Sequence, residues 1–529
     1  MIQTFQRLAR RSVRIGLAAL AATSVSGAQD NAVVTTHHQV KVGGRTIAYT
    51  TRAGRLPIID NDAGDVHANI FFVAYTVDRV AGQPARPLTF AWNGGPGSNA
   101  GLVHLLGFGP RRIRRVGDAS RPEQQTSVVE DNPGTWIDQT DLVFVDPVGT
   151  GYSRPTKPEY AAEFYQTRGD NESIAEFIRT YRNRFDAWDS PLFLAGESYG
   201  VTRAAGVSEA LTRRGVKLKG ITLISLALPL GPLPATMATA LSLPTLTAAA
   251  FYHKKLAPDL MGNLENTLRL AGTFAEQEYA PALARRDSLT ASQRSALLAQ
   301  LSRFTGLDAR TFDVPALGIG MSQIDDQLLR REGRYVGRYD TRLTSVLDTT
   351  PRPYDPKEDP SLSNLLSDVA VIRYLRNELG YKSDLLYQGP WGGGYPAPTT
   401  FRGDWMSMRW GARRESAAGG RGGADSSASR PGSGRGATPS TTTVEPLRAA
   451  LLADHDLRVL SVCGYYDLMC AYAANDWVVN HLDASIRDRV VTRVYAGGHA
   501  IYTDPAAQAA LKRDVGKLLQ GTLSRGVQP

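Results

Sequence analysis

The stretch "PLFLAGESYG", residues 191–200, decides how this chain is read. Apolar β-formers run up to Gly196, and Gly196-Glu197-Ser198-Tyr199-Gly200 follows at once. That order predicts a strand that turns sharply into a helix, with Ser198 exposed at the tip of the turn. The two glycines permit the turn, because a Cβ at either position would collide with neighbouring backbone. Upstream lie the apolar strand "DLVFVD" (141–146) and a helical pattern from Asn171 to Phe185. Downstream, a helix closes on Gly215 and a buried strand begins at Gly220. Strands alternating with helices predict an α/β fold, with a mostly parallel central sheet covered by helices on both faces.

Working outward, residues 33–92 read as short alternating strands, with Gly-Gly and Asn-Asp turns between them. From about residue 229 to 410 the pattern turns mainly helical and rich in Ala, Leu and Arg. Residues 411–445 are low-complexity and lack the apolar content to offset ordering entropy, so they read as a disordered loop. The strand-helix pattern then resumes. The expected organisation is a signal over 1–28, a first core part over 29–228, a helical cap insertion over 229–410, the loop over 411–445, and a second core part over 446–529.

The first 28 residues have the three parts of an export signal: Arg7, Arg10, Arg11 and Arg14, then "IGLAALAATSV", then small residues ending at Ala28. An ordinary amphipathic N-terminal helix is the competing reading. The apolar stretch is too short to span a bilayer, and no later segment is long and apolar enough to be a membrane helix. The expected location is therefore outside the cytoplasm, periplasmic or secreted, with no integral membrane segment after signal removal. The net charge is +9, and subtracting the four signal arginines leaves +5, which is mild for 529 residues. No Lys/Arg run interleaved with aromatics points to nucleic acid. The two cysteines, Cys463 and Cys470, cannot make a disulfide framework, and a core this large does not require one.

A serine hydroxyl is a poor nucleophile until a base takes its proton, and the base needs a carboxylate to fix its tautomer. In a strand-turn-helix setting the chain order is Ser, acid, His. Four histidines follow Ser198. His253 and His455 sit in helical patterns, and His481 follows an amphipathic helix, so all three read as packed or surface residues. His499 lies in "AGGHAIY", a glycine-rich loop just past the strand "VVTRVY", where open α/β sheets place their sites. Asp467 follows the apolar strand and glycine of "LRVLSVCGYYD"; a helix cap is its competing role. For the oxyanion, one donor is expected from the amide of Tyr199 and another from the loop "FAWNGGPGSNAG" (90–101), whose glycines can bring bare N–H groups close to a ligand.

Together these motifs resemble the serine carboxypeptidase family. "WNGGPGS" (92–98), "DNPGTWIDQTDLVFVDPVGTGYS" (131–153), "GESYG", "GYYDLMC" and "AGGHAIYTD" fall in the family's order. The resemblance covers roughly residues 40–225 and 446–515, and the insertion is similar only loosely to the family's helical cap. It implies an α/β-hydrolase fold, with Ser198 as nucleophile, His499 as base and Asp467 as orienting acid. It implies Gly95 and Tyr199 amides as the oxyanion hole. It implies that Asn93, Gly94 and Glu197 recognise a peptide's terminal carboxylate, with Trp92 helping to wall the pocket. The implied activity removes C-terminal residues from peptides through an acyl-enzyme, with a free-C-terminus peptide as partner and no cofactor or metal. His37-His38 is too isolated to be a metal site.

The sequence also departs from the family's pattern. Gly107 stands in "LLGFGPRR" where the family carries a second glutamate; Arg111 or Arg112 could take over that clamp through its guanidinium fork, with two exposed surface arginines as the favoured reading. Loss of the clamp would favour a serine esterase or acyltransferase on the same fold. A secreted binding protein with a dead triad is the reading from another class. Cys470 is expected as a small apolar lining residue. Nothing in the sequence sets the oligomeric state.

Overall fold

The computed structural model describes residues 32–78, 82–116, 126–226, 233–312, 317–347, 358–362, 365–388 and 444–525. The expected export signal lies outside the described residues, as does the low-complexity segment up to residue 443; a helix, Val444–Ala453, begins inside that segment's last two positions.

Alternating and β-branched residues form β1 (Val34–Val42), β2 (Arg45–Ile59) and β3 (Val66–Val77), an antiparallel meander. Then come β4 (Leu88–Trp92), the hairpin β5 (Arg111–Val116) and β6 (Thr126–Asp131), β7 (Asp141–Val145) and the short β8 (Arg154–Pro155). The chain continues through β9 (Leu192–Glu197) and β10 (Gly220–Ile224), a small hairpin of β11 (Arg334–Val336) and β12 (Thr344–Val346), then β13 (Arg458–Gly464) and β14 (Val490–Tyr495). The main sheet runs β1-β2-β3-β7-β4-β9-β10-β13-β14, with β8 paired to β3. From β7 to β14 every neighbouring pair is parallel. The protein has an α/β-hydrolase fold.

β4, β7, β9 and β10 are buried along their whole length, which is why they read as unbroken apolar runs rather than alternating ones. One face of the sheet is covered by helices Thr167–Arg184, Tyr199–Arg213 and Val444–Ala453, through residues such as Ile174, Phe177, Val201 and Leu451. The other face is covered by Pro505–Leu519 and Asp368–Asn377, through Leu511, Val515, Val371 and Tyr374. Each such side chain contributes about 1.5–3 kcal/mol on burial.

Between β10 and β13 lie mainly helices, among them Leu243–Tyr252, Leu264–Phe274 and Ala291–Thr305. They share an apolar cluster of their own, which reaches Leu468 and Ala474 of the sheet-bearing part. The β11–β12 hairpin within this region differs from the helical expectation. No helix among the described residues is long and apolar enough to cross a membrane.

Candidate active site

The turn after β9 is built as its glycines require. A Cβ on Gly196 would lie 2.1 Å from the Gly200 carbonyl oxygen, and one on Gly200 would lie 2.8 Å from Trp92 Cδ1. Ser198 itself adopts φ +57° and ψ −130°, a conformation that costs a non-glycine residue on the order of 1–3 kcal/mol. Its backbone is held there on both sides. Its N–H donates to Ile224 O of β10 at 2.9 Å, and its carbonyl accepts from Val201 N–H at 2.9 Å. The side chain is half-buried, and Ser198 Oγ makes no hydrogen bond among the described residues.

Asp467 and His499 arrive from the ends of β13 and β14, the next strands across the sheet. His499 Nδ1 lies 2.8 Å from Asp467 Oδ2, and Asp467 Oδ1 accepts from the Met469 amide at 2.8 Å. The other ring nitrogen, Nε2, lies 3.5 Å from Glu197 Oε1, on the residue just before Ser198. Both side chains are buried. Burial opposes the imidazolium, but the Asp467 and Glu197 carboxylates outweigh it and raise the His499 pKa to about 9. Burial raises Asp467 and Glu197 as well, against the pull of His499 on each. Two carboxyls and one imidazole thus share protons as a unit.

Glu197 is gripped from the opposite side by Asn93, whose Nδ2 donates to Glu197 Oε2 at 2.6 Å. Asn93 is fixed in turn: Oδ1 accepts from the Val103 amide at 3.1 Å, and its carbonyl accepts from Arg203 Nη1 at 2.7 Å. Arg203 is fully buried and pairs with Asp170 at 2.9 Å.

The loop after β4 lies directly against the turn. A Cβ on Gly94 would sit 2.3 Å from the Tyr199 amide nitrogen, so only glycine allows the approach. Gly95 follows at φ +103°, a left-handed conformation that favours glycine; it is exposed, and its amide donates to no group among the described residues. Tyr199 opens the helix, so its amide is among those with no intrahelical acceptor. Trp92 is fully buried, and its indole N–H donates to Gly200 O at 2.9 Å. It ties the loop to the helix from within the core rather than facing a pocket.

Ser198, Glu197, His499, Asp467, Asn93, Gly94, Gly95 and Tyr199 are therefore gathered at the C-terminal ends of β4, β9, β13 and β14. Arg111 and Arg112 are not among them: Arg111 pairs with Asp131 and Glu378, and Arg112 with Glu130, so both forks are already engaged by carboxylates. Cys470 also departs from expectation. It is buried and joined to Cys463 as a disulfide, bracketing Asp467, and is not a free lining residue. His253 reaches the Thr341 carbonyl and His481 the Trp477 carbonyl, away from these groups. Among the described residues no cluster could hold a metal ion.

Three contributors were not singled out from the sequence. Ser225, at the end of β10, donates its hydroxyl to the His499 carbonyl. Tyr339, between β11 and β12, accepts from the His499 amide at 2.6 Å and sets its ring edge-on to the imidazole, with centroids 5.1 Å apart. Tyr502 lies in the turn Ile501–Thr503 that follows His499. The unusual signal was Tyr502, an aromatic just after the "GGH" loop; Ser225 and Tyr339 carry no local pattern that marks them.

A sequence profile described as serine carboxypeptidase matches residues 59–270. The chain is similar to the pheromone-processing carboxypeptidase KEX1 of Kluyveromyces lactis, 32% identical over 153 residues, which is 28% of this chain and 22% of that protein. It is similar to the KEX1 protein of Komagataella phaffii, 34% identical over 155 residues, 28% of this chain and 22% of that protein. The matched stretch thus spans about a fifth of these relatives' length. Among solved structures, that of a prohormone-processing carboxypeptidase from Saccharomyces cerevisiae aligns over 89% of this chain and 91% of the other, with TM-score 0.50 and 15% identity, a likeness of fold.

Proposed function

We propose, from the premise that residues 59–270 of this chain belong to the serine carboxypeptidase family, that the protein is an exported serine carboxypeptidase that shortens peptides from the C-terminus. The observation that carries this is the Asn93–Glu197–His499–Asp467 array beside Ser198. It joins an acyl-transfer centre to a buried carboxyl that can keep its proton.

In this reading His499 Nε2 swings from Glu197 to take the Ser198 proton as Oγ attacks the last peptide carbonyl. Asp467 holds Nδ1–H and stabilises the imidazolium. The oxyanion is met by the amides of Gly95 and Tyr199. The amine departs with the proton from His499, and water releases the acyl-enzyme by the same steps in reverse. Glu197, protonated, donates a hydrogen bond to the substrate's terminal carboxylate alongside Asn93 and the Gly94 backbone. A charged Glu197 would repel that carboxylate, so its upward-shifted titration is what the binding step needs.

The test compares an N-blocked dipeptide with a free C-terminus against its amide and against a simple ester. A kcat/KM preference for the free acid, abolished for all three in Ser198→Ala, is expected. Equal or better turnover of the ester and amide would instead support the esterase or acyltransferase reading.

A further inference from the structure

Tyr502 is a buried group beside the Asn93–Glu197 pair that the chemistry above leaves unused. It is 2% exposed, and its hydroxyl has no hydrogen-bond partner of good geometry among the described residues. A buried hydroxyl without a partner is costly and calls for an explanation. The hydroxyl lies alongside the Asn93 amide and within the field of Glu197. Burial keeps the phenol neutral well above its ordinary titration; the Glu197 charge adds to this and the Asn93 amide opposes it. Tyr502 therefore has a proton to donate at any working pH.

Its ring is seated firmly. It packs close to Gly107, where a Cβ would stand 3.5 Å from Tyr502 Cγ, an ordinary contact. The Gly107 carbonyl is pinned by Asn132 Nδ2 at 2.9 Å and Gln508 Nε2 at 2.8 Å. Asn93 cannot turn to satisfy the phenol as an acceptor, because Oδ1 is committed to Val103 N–H. What the phenol lacks is an acceptor within hydrogen-bond reach. A carboxylate ligand brings one, as it draws the Glu197 proton toward itself and leaves charge on the shared carboxyl pair.

We propose that Tyr502 is a positioning residue for carboxylate recognition, its hydroxyl a latent donor that engages the Asn93–Glu197 pair when a peptide's C-terminal carboxylate binds. This rests on the carboxypeptidase reading above.

The experiment measures kcat and KM for the N-blocked dipeptide acid and its amide, in wild type and in Tyr502→Phe. A hydrogen bond to a charged group implies that the acid-to-amide ratio of kcat/KM falls roughly tenfold, through KM rather than kcat. The thermal midpoint should hold, because Phe keeps the ring packing and removes only an unpartnered hydroxyl. Protection of Ser198 from a fluorophosphonate probe by an N-acylated amino acid repeats the comparison without turnover, at a temperature where both proteins are folded. An unchanged ratio in both assays overturns the proposal. A wild type that shows no preference for the acid overturns the carboxypeptidase reading first, and this proposal with it.

Discussion

In the proposed mechanism Glu197 joins binding to proton transfer. Burial raises its titration, while Asn93 and His499 favour its charge. Facing the same cluster are Asp467 and the phenols of Tyr339 and Tyr502, and burial raises the titration of each. The sign follows from the roles. Glu197 must carry a proton to donate to a carboxylate, so KM for a peptide acid should rise as pH climbs through its titration. His499 must be neutral to act as base, and the Glu197 charge is one of the terms that raises it. Glu197→Gln should therefore flatten the alkaline rise of KM and move the acid limb of kcat to lower pH. A pH series of initial rates on both proteins checks this, and superimposable profiles would count against it. That Ser198, Asp467 and His499 lie just past strand ends was legible, because each follows a recognisable apolar strand. The Glu197–His499 approach was not, since it depends on how the side chains of β9 and β14 lean together.

At the scale of elements, the buried ion pair of Asp170 and Arg203 clamps two neighbouring helices and the loop after β4. Arg203 spans all three, with its Nε on Asp170 at 2.9 Å and Nη1 on Asn93 O at 2.7 Å. Asp170→Ala leaves a buried guanidinium without its counter-charge, which should cost about 3–5 kcal/mol, read from denaturant unfolding at neutral pH. A loss below about 1 kcal/mol would show that the pair is solvated in solution. The parallel strands of the sheet were readable because runs such as "LFLAG" and "DLVFV" are buried on both faces. The β5–β6 hairpin was not, because its arginines mask the pattern. Arg111 pairs with Asp131, and Arg112 and Arg114 share Glu130 across the ladder, a pairing visible only once the strands align. The role of Asp170, separated from Arg203 by most of one helix, a strand and the first turn of the next helix, has no local signature either.

Across the whole molecule, the candidate site is braced by a segment far along the chain from the serine turn. Leu468 N–H donates to Arg338 O at 3.0 Å, Thr341 N–H to Tyr466 O at 2.9 Å, and His499 N–H to Tyr339 O at 2.6 Å. A Cβ on Gly498 would fall 2.5 Å from Asp340 Cβ, so this segment sits flush on the loop that carries the histidine. Residues 338–341 therefore hold the loops that carry Asp467 and His499. Nothing local in the sequence marks residues 338–341 as a brace for the centre. The most direct test of the central claim digests a peptide of known sequence and follows the products by mass spectrometry. Wild type should generate a ladder shortened one residue at a time from the C-terminus, and Ser198→Ala should leave the peptide intact. Internal fragments, or the same ladder from Ser198→Ala, would contradict the account.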